Sequence, residues 1–401
     1  MLASEAALSP RAELAARGRA VALLVATRIA ATDGGADAMG EALLFDQLAR
    51  VTGDAAWSVL ADARLRLMRF VAADARPGLY GGVAGALFVA ETLSDGGRRY
   101  GSFRAALAER LVEVTPSTGG VLTRDDEFDV ISGHAGIALV LGALHDDLRA
   151  GAAGPAQRRV CERLRELVRA PERTPWRVTS RFSHDHECEA VNLGVAHGVC
   201  GIIAALAASD ADGATGAALA ASAEWLLAQG VPADGGGLRW PAALADGGSV
   251  PCREGWCYGT PGVAAAFAAA GARTGDERWT NVARDALLAL AASEPASMGL
   301  DDHGLCHGTA GVALIADEVG IVSGCGELRA FAERLYRAVL DAFDGDARFG
   351  YRALTGMARG DDPGFLEGAS GIALALLAID TSVPRPWTRA LGLAFAPRGG
   401  A

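Results

Sequence analysis

Cys257 and Cys306, with His307 beside the second, are the residues of this sequence best suited to chemistry. Two thiolates and an imidazole suit Zn2+, which prefers tetrahedral nitrogen and sulfur donors. Three protein ligands leave a fourth position open, the pattern of catalytic rather than structural zinc sites. The two cysteines lie 49 positions apart, which is not zinc-finger spacing. A cysteine taken alone also reads as a small buried residue. Cys161, Cys188, Cys200, Cys252 and Cys325 are read that way, with Cys252 the nearest of them to the trio in sequence. What ties Cys257 to Cys306 is a repeat.

Six times a Gly-x-x-Gly element opens an apolar stretch: Gly82–Gly85, Gly133–Gly136, Gly198–Gly201, Gly259–Gly262, Gly308–Gly311 and Gly368–Gly371. Successive first glycines lie 51, 65, 61, 49 and 60 residues apart, a period in the range of repeat architectures. The stretches Val199–Ala208, Pro261–Gly271, Thr309–Ala316 and Ala369–Ile379 carry no Asp, Glu, Lys or Arg. A helix apolar on every side is a buried helix. Pro261 stands where a first helical residue should, with Thr260 as a candidate cap. Between these stretches lie amphipathic helices, expected over Asp54–Ala72, Ala156–Ala170, Ala217–Gln229, Glu277–Ala292 and Glu327–Phe343.

The pattern predicts an all-α fold, an α/α toroid of six to seven helix pairs, with a buried inner ring and a half-exposed outer one. An open solenoid would leave both helices of a pair with an exposed face, so its inner helices should keep some charge. The repeats make one ring, and residues 1–401 are read as a single domain. Residues 1–75 fit the pattern least and are read as amphipathic helices completing the ring. Glu172–Ala196, Val231–Trp256 and Asp344–Leu366 are expected as long loops gathered at one end, together with the N-termini of the inner helices.

In that register His197, Tyr258, His307 and Glu367 are equivalent, each just before its first glycine, and Cys257 and Cys306 are equivalent one step earlier. The trio can therefore meet near the ring axis. His134, inside its own Gly-x-x-Gly, could line the same cavity, and Glu367 could equally cap a helix. His184, His186, Glu187 and Cys188 mimic a metal motif but read as a solvated loop. His303 lies near Cys306 without an assigned role.

At these residues the chain resembles the lanthipeptide synthetase C (LanC-like) cyclases. Trp256-Cys257-Tyr258-Gly259-Thr260-Pro261-Gly262, Cys306-His307-Gly308-Thr309-Ala310-Gly311 and Ala196-His197-Gly198 occur in the family order. The resemblance runs from about Gly78 to Leu377 and, in a chain of this length, points to the free-standing class I type. It implies an α/α toroid with one zinc held by Cys257, Cys306 and His307. The implied reaction is Michael-type addition of a peptide cysteine thiol to dehydroalanine or dehydrobutyrine, closing a lanthionine or methyllanthionine ring. The implied partners are a dehydrated precursor peptide with its leader, and a dehydratase and exporter. A free thiol, with a pKa of about 8.5, is mostly protonated at neutral pH, and a metal-bound one is deprotonated. The product carbanion then needs a proton. His197 is the expected acid, Asp129 its orienting partner, Arg253 a holder of Asp129 or of developing negative charge, and Tyr258 a hydrogen-bond donor or a packing residue.

Composition narrows the alternatives. Lys and Arg number 37 against 48 Asp and Glu, a net charge of −11, the wrong sign for a nucleic-acid face. No apolar run reaches the ~18 residues of a membrane span, since Ala20–Ala31 is broken by Arg28. An odd, sparse set of cysteines argues against a disulfide framework and for a reducing cytoplasm. Three rival functions remain: glutathione addition to dehydrated residues, a prenyltransferase-like zinc toroid, and a non-catalytic peptide scaffold. Prenyltransferases use a carboxylate, a cysteine and a histidine, and a scaffold would have lost ligands.

Overall fold

The computed structural model describes residues 9–34, 37–73, 76–116, 119, 122–169, 177–183, 186–209, 213–233, 236–355, 358–393 and 395. In chain order the helices are α1 (Pro10–Ala30), α2 (Ala38–Thr52), α3 (Ala55–Ala73), α4 (Val83–Thr92), α5 (Gly101–Val114), α6 (His134–Ala143), the short α7 (Asp146–Leu148), α8 (Gly154–Val168), α9 (Val199–Ala208), α10 (Gly213–Ala228), α11 (Thr260–Thr274), α12 (Glu277–Ala291), α13 (Thr309–Val322), α14 (Gly326–Asp341) and α15 (Ala369–Leu377).

Six of the expected buried helices begin at the second residue of a Gly-x-x-Gly. They are buried along nearly their whole length: α4 from Val83 to Glu91, α6 from His134 to Gly142, α11 from Thr260 to Gly271. Each packs on the next: α4 on α6, α6 on α9, α9 on α11, α11 on α13, α13 on α15. A seventh inner helix, α2, packs on both α15 and α4 and closes the circle. The outer helices cover it: α3 on α2, α5 on α4, α8 on α6, α10 on α9, α12 on α11 and α14 on α13. The outer mate of α15 is α1, the first helix in the chain. The fold is an α/α toroid; the helices before Gly78 close it, but α2 does so as a buried inner helix rather than the amphipathic one expected.

The seventh repeat escapes the glycine count because Asp37 stands where the other repeats have their first glycine. Its carboxylate accepts hydrogen bonds from Gly40 N (3.1 Å) and Phe365 N (2.8 Å). Elsewhere the glycines are there because a side chain has no room. A Cβ on Gly311 would lie 1.9 Å from the Leu305 carbonyl oxygen, and one on Gly308 would lie 2.3 Å from Gly304 N. The chain folds back over each helix start, and in five of the six glycine repeats the second glycine's amide donates to a carbonyl seven residues earlier, as from Gly136 to Asp129 and from Gly311 to Gly304; Gly201 donates to Gly198 O instead.

Inner helices pack mostly through small apolar residues, but three carry a buried acid that meets an arginine of the outer layer. Glu41 pairs with Arg64 of α3, Glu91 with Arg104 of α5, and Asp317 with Arg11 of α1. Arg104 is fully buried and also reaches Asp147 at 3.1 Å. Burial without a partner would cost each of these ions several kcal/mol.

The segments expected as loops contain small antiparallel sheets. β1 (Arg177–Ser183), β2 (His186–Asn192), β5 (Ala243–Ala245) and β6 (Gly248–Val250) form one sheet in the order β1-β2-β5-β6. β3 (Val231–Pro232) pairs with β4 (Leu238–Arg239), and β7 (Ala353–Thr355) pairs with β8 (Ala358–Gly360). These strands are too short or too polar to show in the apolar periodicity, and pairing with a neighbouring excursion makes them regular.

Past α15, a 3-10 segment at Pro386–Leu391 packs on both α4 and α6. Trp256 Nε1 donates to Leu391 O at 2.8 Å, Tyr80 OH donates to Ala390 O at 2.9 Å, and Trp387 meets Phe365 edge-on at 6.1 Å. A segment touched from so many inner repeats lies within the ring and fills it.

Candidate metal centre

The residues just before each inner helix are laced together by backbone hydrogen bonds that pass from repeat to repeat. Tyr80 N donates to Ile131 O, Val130 N to Ala196 O, Val195 N to Cys257 O, Cys257 N to Cys306 O, and Cys306 N to Leu366 O, all at 2.8–3.1 Å. The accepting carbonyls occupy the same place in each repeat, five residues before the second glycine. Cys257 and Cys306 thus become direct neighbours although 49 residues separate them. A Cβ on Gly255 would touch His307 Cα at 2.8 Å, so a glycine there lets the two loops close up.

Cys257, Cys306 and His307 each offer a donor atom within 4.8 Å of the others'. Cys257 and His307 are 8% and 7% exposed. A hydrogen bond between the thiols splits their acidities: it holds Cys257 below the usual thiol range, against burial and with help from His307, and pushes Cys306 well above. His307 Nε2 is buried without a hydrogen-bond partner. Two thiols and an imidazole whose donor atoms converge in this way form a set that fits a soft divalent cation such as zinc.

His197 and Asp129 stand on the adjoining loops. Asp129 is fully buried, and its Oδ1 accepts from Ser132 N (2.7 Å) and Gly133 N (2.8 Å). Its Oδ2 lies 2.5 Å from His197 Nδ1. The His197 side chain remains 34% exposed. Burial works against its charge, but the Asp129 hydrogen bond and charge outweigh it and raise the His197 pKa, with Cys257 adding to the effect. Asp129 is therefore the hydrogen-bonding partner of His197.

Other expected residues fall differently. Arg253 is exposed and makes no ion pair with Asp129; its positive charge is felt at Cys257 and Cys306. Tyr258 OH accepts a long hydrogen bond, 3.5 Å, from Asn192 Nδ2, and burial pushes its pKa up. Glu367 is half-buried beside His307 electrostatically and does not cap α15. His134 turns away from the trio into a separate cavity of 290 Å³ that it shares with Arg163 of α8, its Nε2 lying 3.3 Å from Pro116 O. His303 packs near Tyr351 at 6.4 Å. Cys252 stays outside the trio, its Sγ 3.9 Å from Trp240 O, and burial pushes its thiol up to about 12. His184 lies outside the described residues, and Cys188 is half-buried on β2.

Four polar residues were missed by the sequence reading. Glu254, not Thr260, caps α11: its carboxylate accepts from Thr260 N (2.6 Å) and Thr260 Oγ1 (3.2 Å), fixing the turn that carries Cys257. Asn192 and Asp302 each bond their own loop two residues on, to Gly194 N (2.9 Å) and Gly304 N (3.1 Å). Asp362 does the same to Gly364 N (2.6 Å). Asn192, Asp302 and Asp362 lie nine residues before a second glycine, a register mark available in the sequence.

The family profile of lanthionine synthetase C-like proteins matches residues 37–391. The solved structure titled "Nisin cyclase" superimposes with a TM-score of 0.72 over 89% of this chain and 91% of that one, at 18% identity. No curated protein matches by sequence. Among the described residues no helix is long and apolar enough to cross a membrane. The match over most of the chain, together with the ring it folds into, places this protein in the lanthionine synthetase C-like family.

Proposed function

We propose that this chain is a zinc-dependent, thioether-forming lanthipeptide cyclase, acting as one domain. A cysteine thiol of a dehydrated precursor peptide adds to dehydroalanine or dehydrobutyrine, closing a lanthionine or methyllanthionine ring. The sulfur bonds to the β-carbon, the double-bond pair moves to the α-carbon, and a proton there completes the product. The observation that carries this reading is the meeting of Cys257, Cys306 and His307 beside a histidine hydrogen-bonded to a buried carboxylate.

Cys257, Cys306 and His307 would hold the zinc, which when bound keeps a substrate thiol ionised at neutral pH. The rest falls to the chain itself. Asp129 takes Nδ1 of His197, so the exposed side of the ring presents Nε2 as the acid. The Asp129 hydrogen bond and charge raise the His197 pKa, which favours the protonated, acid form of the ring. Arg253 adds positive charge at the mouth, and Tyr258 lines the same loop. The substrate carries its leader, a separate dehydratase prepares it in the cytoplasm, and an exporter removes the product.

Ring closure rearranges bonds without changing mass. Incubated with a dehydrated peptide, the protein should leave its mass unchanged while removing thiols that an alkylating reagent would otherwise label. Persistent labelling would overturn the reading. A product heavier by the mass of glutathione, when glutathione is supplied, would favour the intermolecular reaction instead.

A further inference from the structure

The orphaned nitrogen of His307 is not without a neighbour. Asp302 Oδ2 lies 4.0 Å from His307 Nε2, and the two side chains are 1% and 9% exposed. Asp302 is not one of the trio whose donor atoms all lie within 4.8 Å of one another. It therefore stands on the flank of the imidazole rather than among the donors. The carboxylate is itself held fast. Its Oδ1 accepts from the backbone of His303 and from Gly304 N at 3.1 Å, and its Oδ2 accepts from Leu354 N of β7 at 2.9 Å. A buried carboxylate anchored by three backbone N–H groups cannot turn away, and its Oδ2 retains capacity for a second donor.

We propose that Asp302 is the positioning residue of the metal centre. With metal bound, the 4.0 Å gap closes and Asp302 accepts the Nε2 proton of His307, which fixes the tautomer and leaves Nδ1 as the nitrogen presented to the metal. Metal-bound histidines generally give their other ring N–H to such a group, and losing it weakens metal binding roughly 10–100-fold. The inference rests on the metal reading above. It also ties the β7–β8 hairpin to the centre, because Arg359 of β8 donates to Asp301 O at 2.6 Å beside the same carboxylate.

Two measurements decide it. In the parent protein loaded with cadmium-113 and labelled with nitrogen-15 histidine, the metal should couple to Nδ1 of His307 while Nε2 carries hydrogen. Coupling to Nε2 overturns the proposal without any variant having to fold. In competition with a chelator, Asp302→Asn should bind zinc about 10–100-fold more weakly than the parent. Arg359→Ala, which loosens the hairpin but keeps the carboxylate, should bind as the parent does. Parental affinity in Asp302→Asn, or an equal loss in both variants, overturns the positioning role. A parent that takes up no zinc overturns the metal centre itself, a separate failure.

Discussion

At the mouth of the ring polar groups are left open, whereas in the wall between inner and outer helices they are closed in pairs. The mouth holds two thiols and an imidazole whose donor atoms lie within 4.8 Å of one another, and a histidine whose side chain is 34% exposed. The wall holds Glu41, Glu91 and Asp317, each as deeply buried and each met by an arginine. Burial is similar; what differs is whether the protein supplies the partner. Where it does, the group fixes the fold, and where it does not, a partner from outside is expected. Stability and chemistry should therefore respond to substitution in different places.

The largest effect is expected at the mouth. Cys306→Ala should take zinc content from about one per chain to none and abolish ring closure while the helical circular dichroism spectrum stays parental. A variant that keeps its zinc would erase the distinction. His197→Ala should retain zinc and close rings roughly 10²–10⁴-fold more slowly, the usual contribution of an acid or base. Thiol labelling over time measures it, and a parental rate would make His197 structural.

Arg104→Ala probes the other side of the comparison. Buried Glu91 would keep only its contacts from His145, and stability should fall by up to about 3–5 kcal/mol, read from denaturant unfolding, with zinc affinity unchanged. A loss of zinc affinity at unchanged stability would invert the scheme.

The pH dependence sharpens it. A raised His197 pKa favours the protonated state in the fold, so its contribution to stability is full below the unfolded value of about 6.5 and fades as pH rises through the folded value. The acid limb of catalysis should likewise be lost above that raised pKa. Asp129→Asn should move the limb to lower pH, and an unmoved limb would mean that another group sets it. The smallest effect belongs to the surface: Arg17 and Asp341 face each other at 3.3 Å with side chains 57% and 72% exposed, and Arg17→Ala should cost at most about 1 kcal/mol.

The register of the glycines was enough to place Cys257 against Cys306 and His197 near them, because a repeated close approach leaves a repeated residue type. The same reasoning stopped where the repeat changed its chemistry. Asp37 replaces a glycine and hid the seventh inner helix. Thr260 looked like a cap, but a carboxylate six residues earlier does that work. The arginine pins were invisible because a charge in a helix says nothing of its distant partner, 306 residues away for Arg11 and Asp317. The hairpin of β1 and β2 carries too many charged and polar residues to stand out from a loop.

The pairing of α1 with α15 sets an order of events. In an open array each repeat can settle on its predecessor as it is made. Here the first helix has its mate among the last residues, and Arg11 bonds to Glu333 across 322 positions. The apolar side of α1, with Leu14, Val25 and Ile29 destined for burial, must wait until α15 has been made. Contacts of such long range slow folding and leave apolar surface exposed meanwhile. The ring is thus a clasp that shuts only once α15 has emerged, and a nascent chain stalled before α15 would be the form most prone to aggregate.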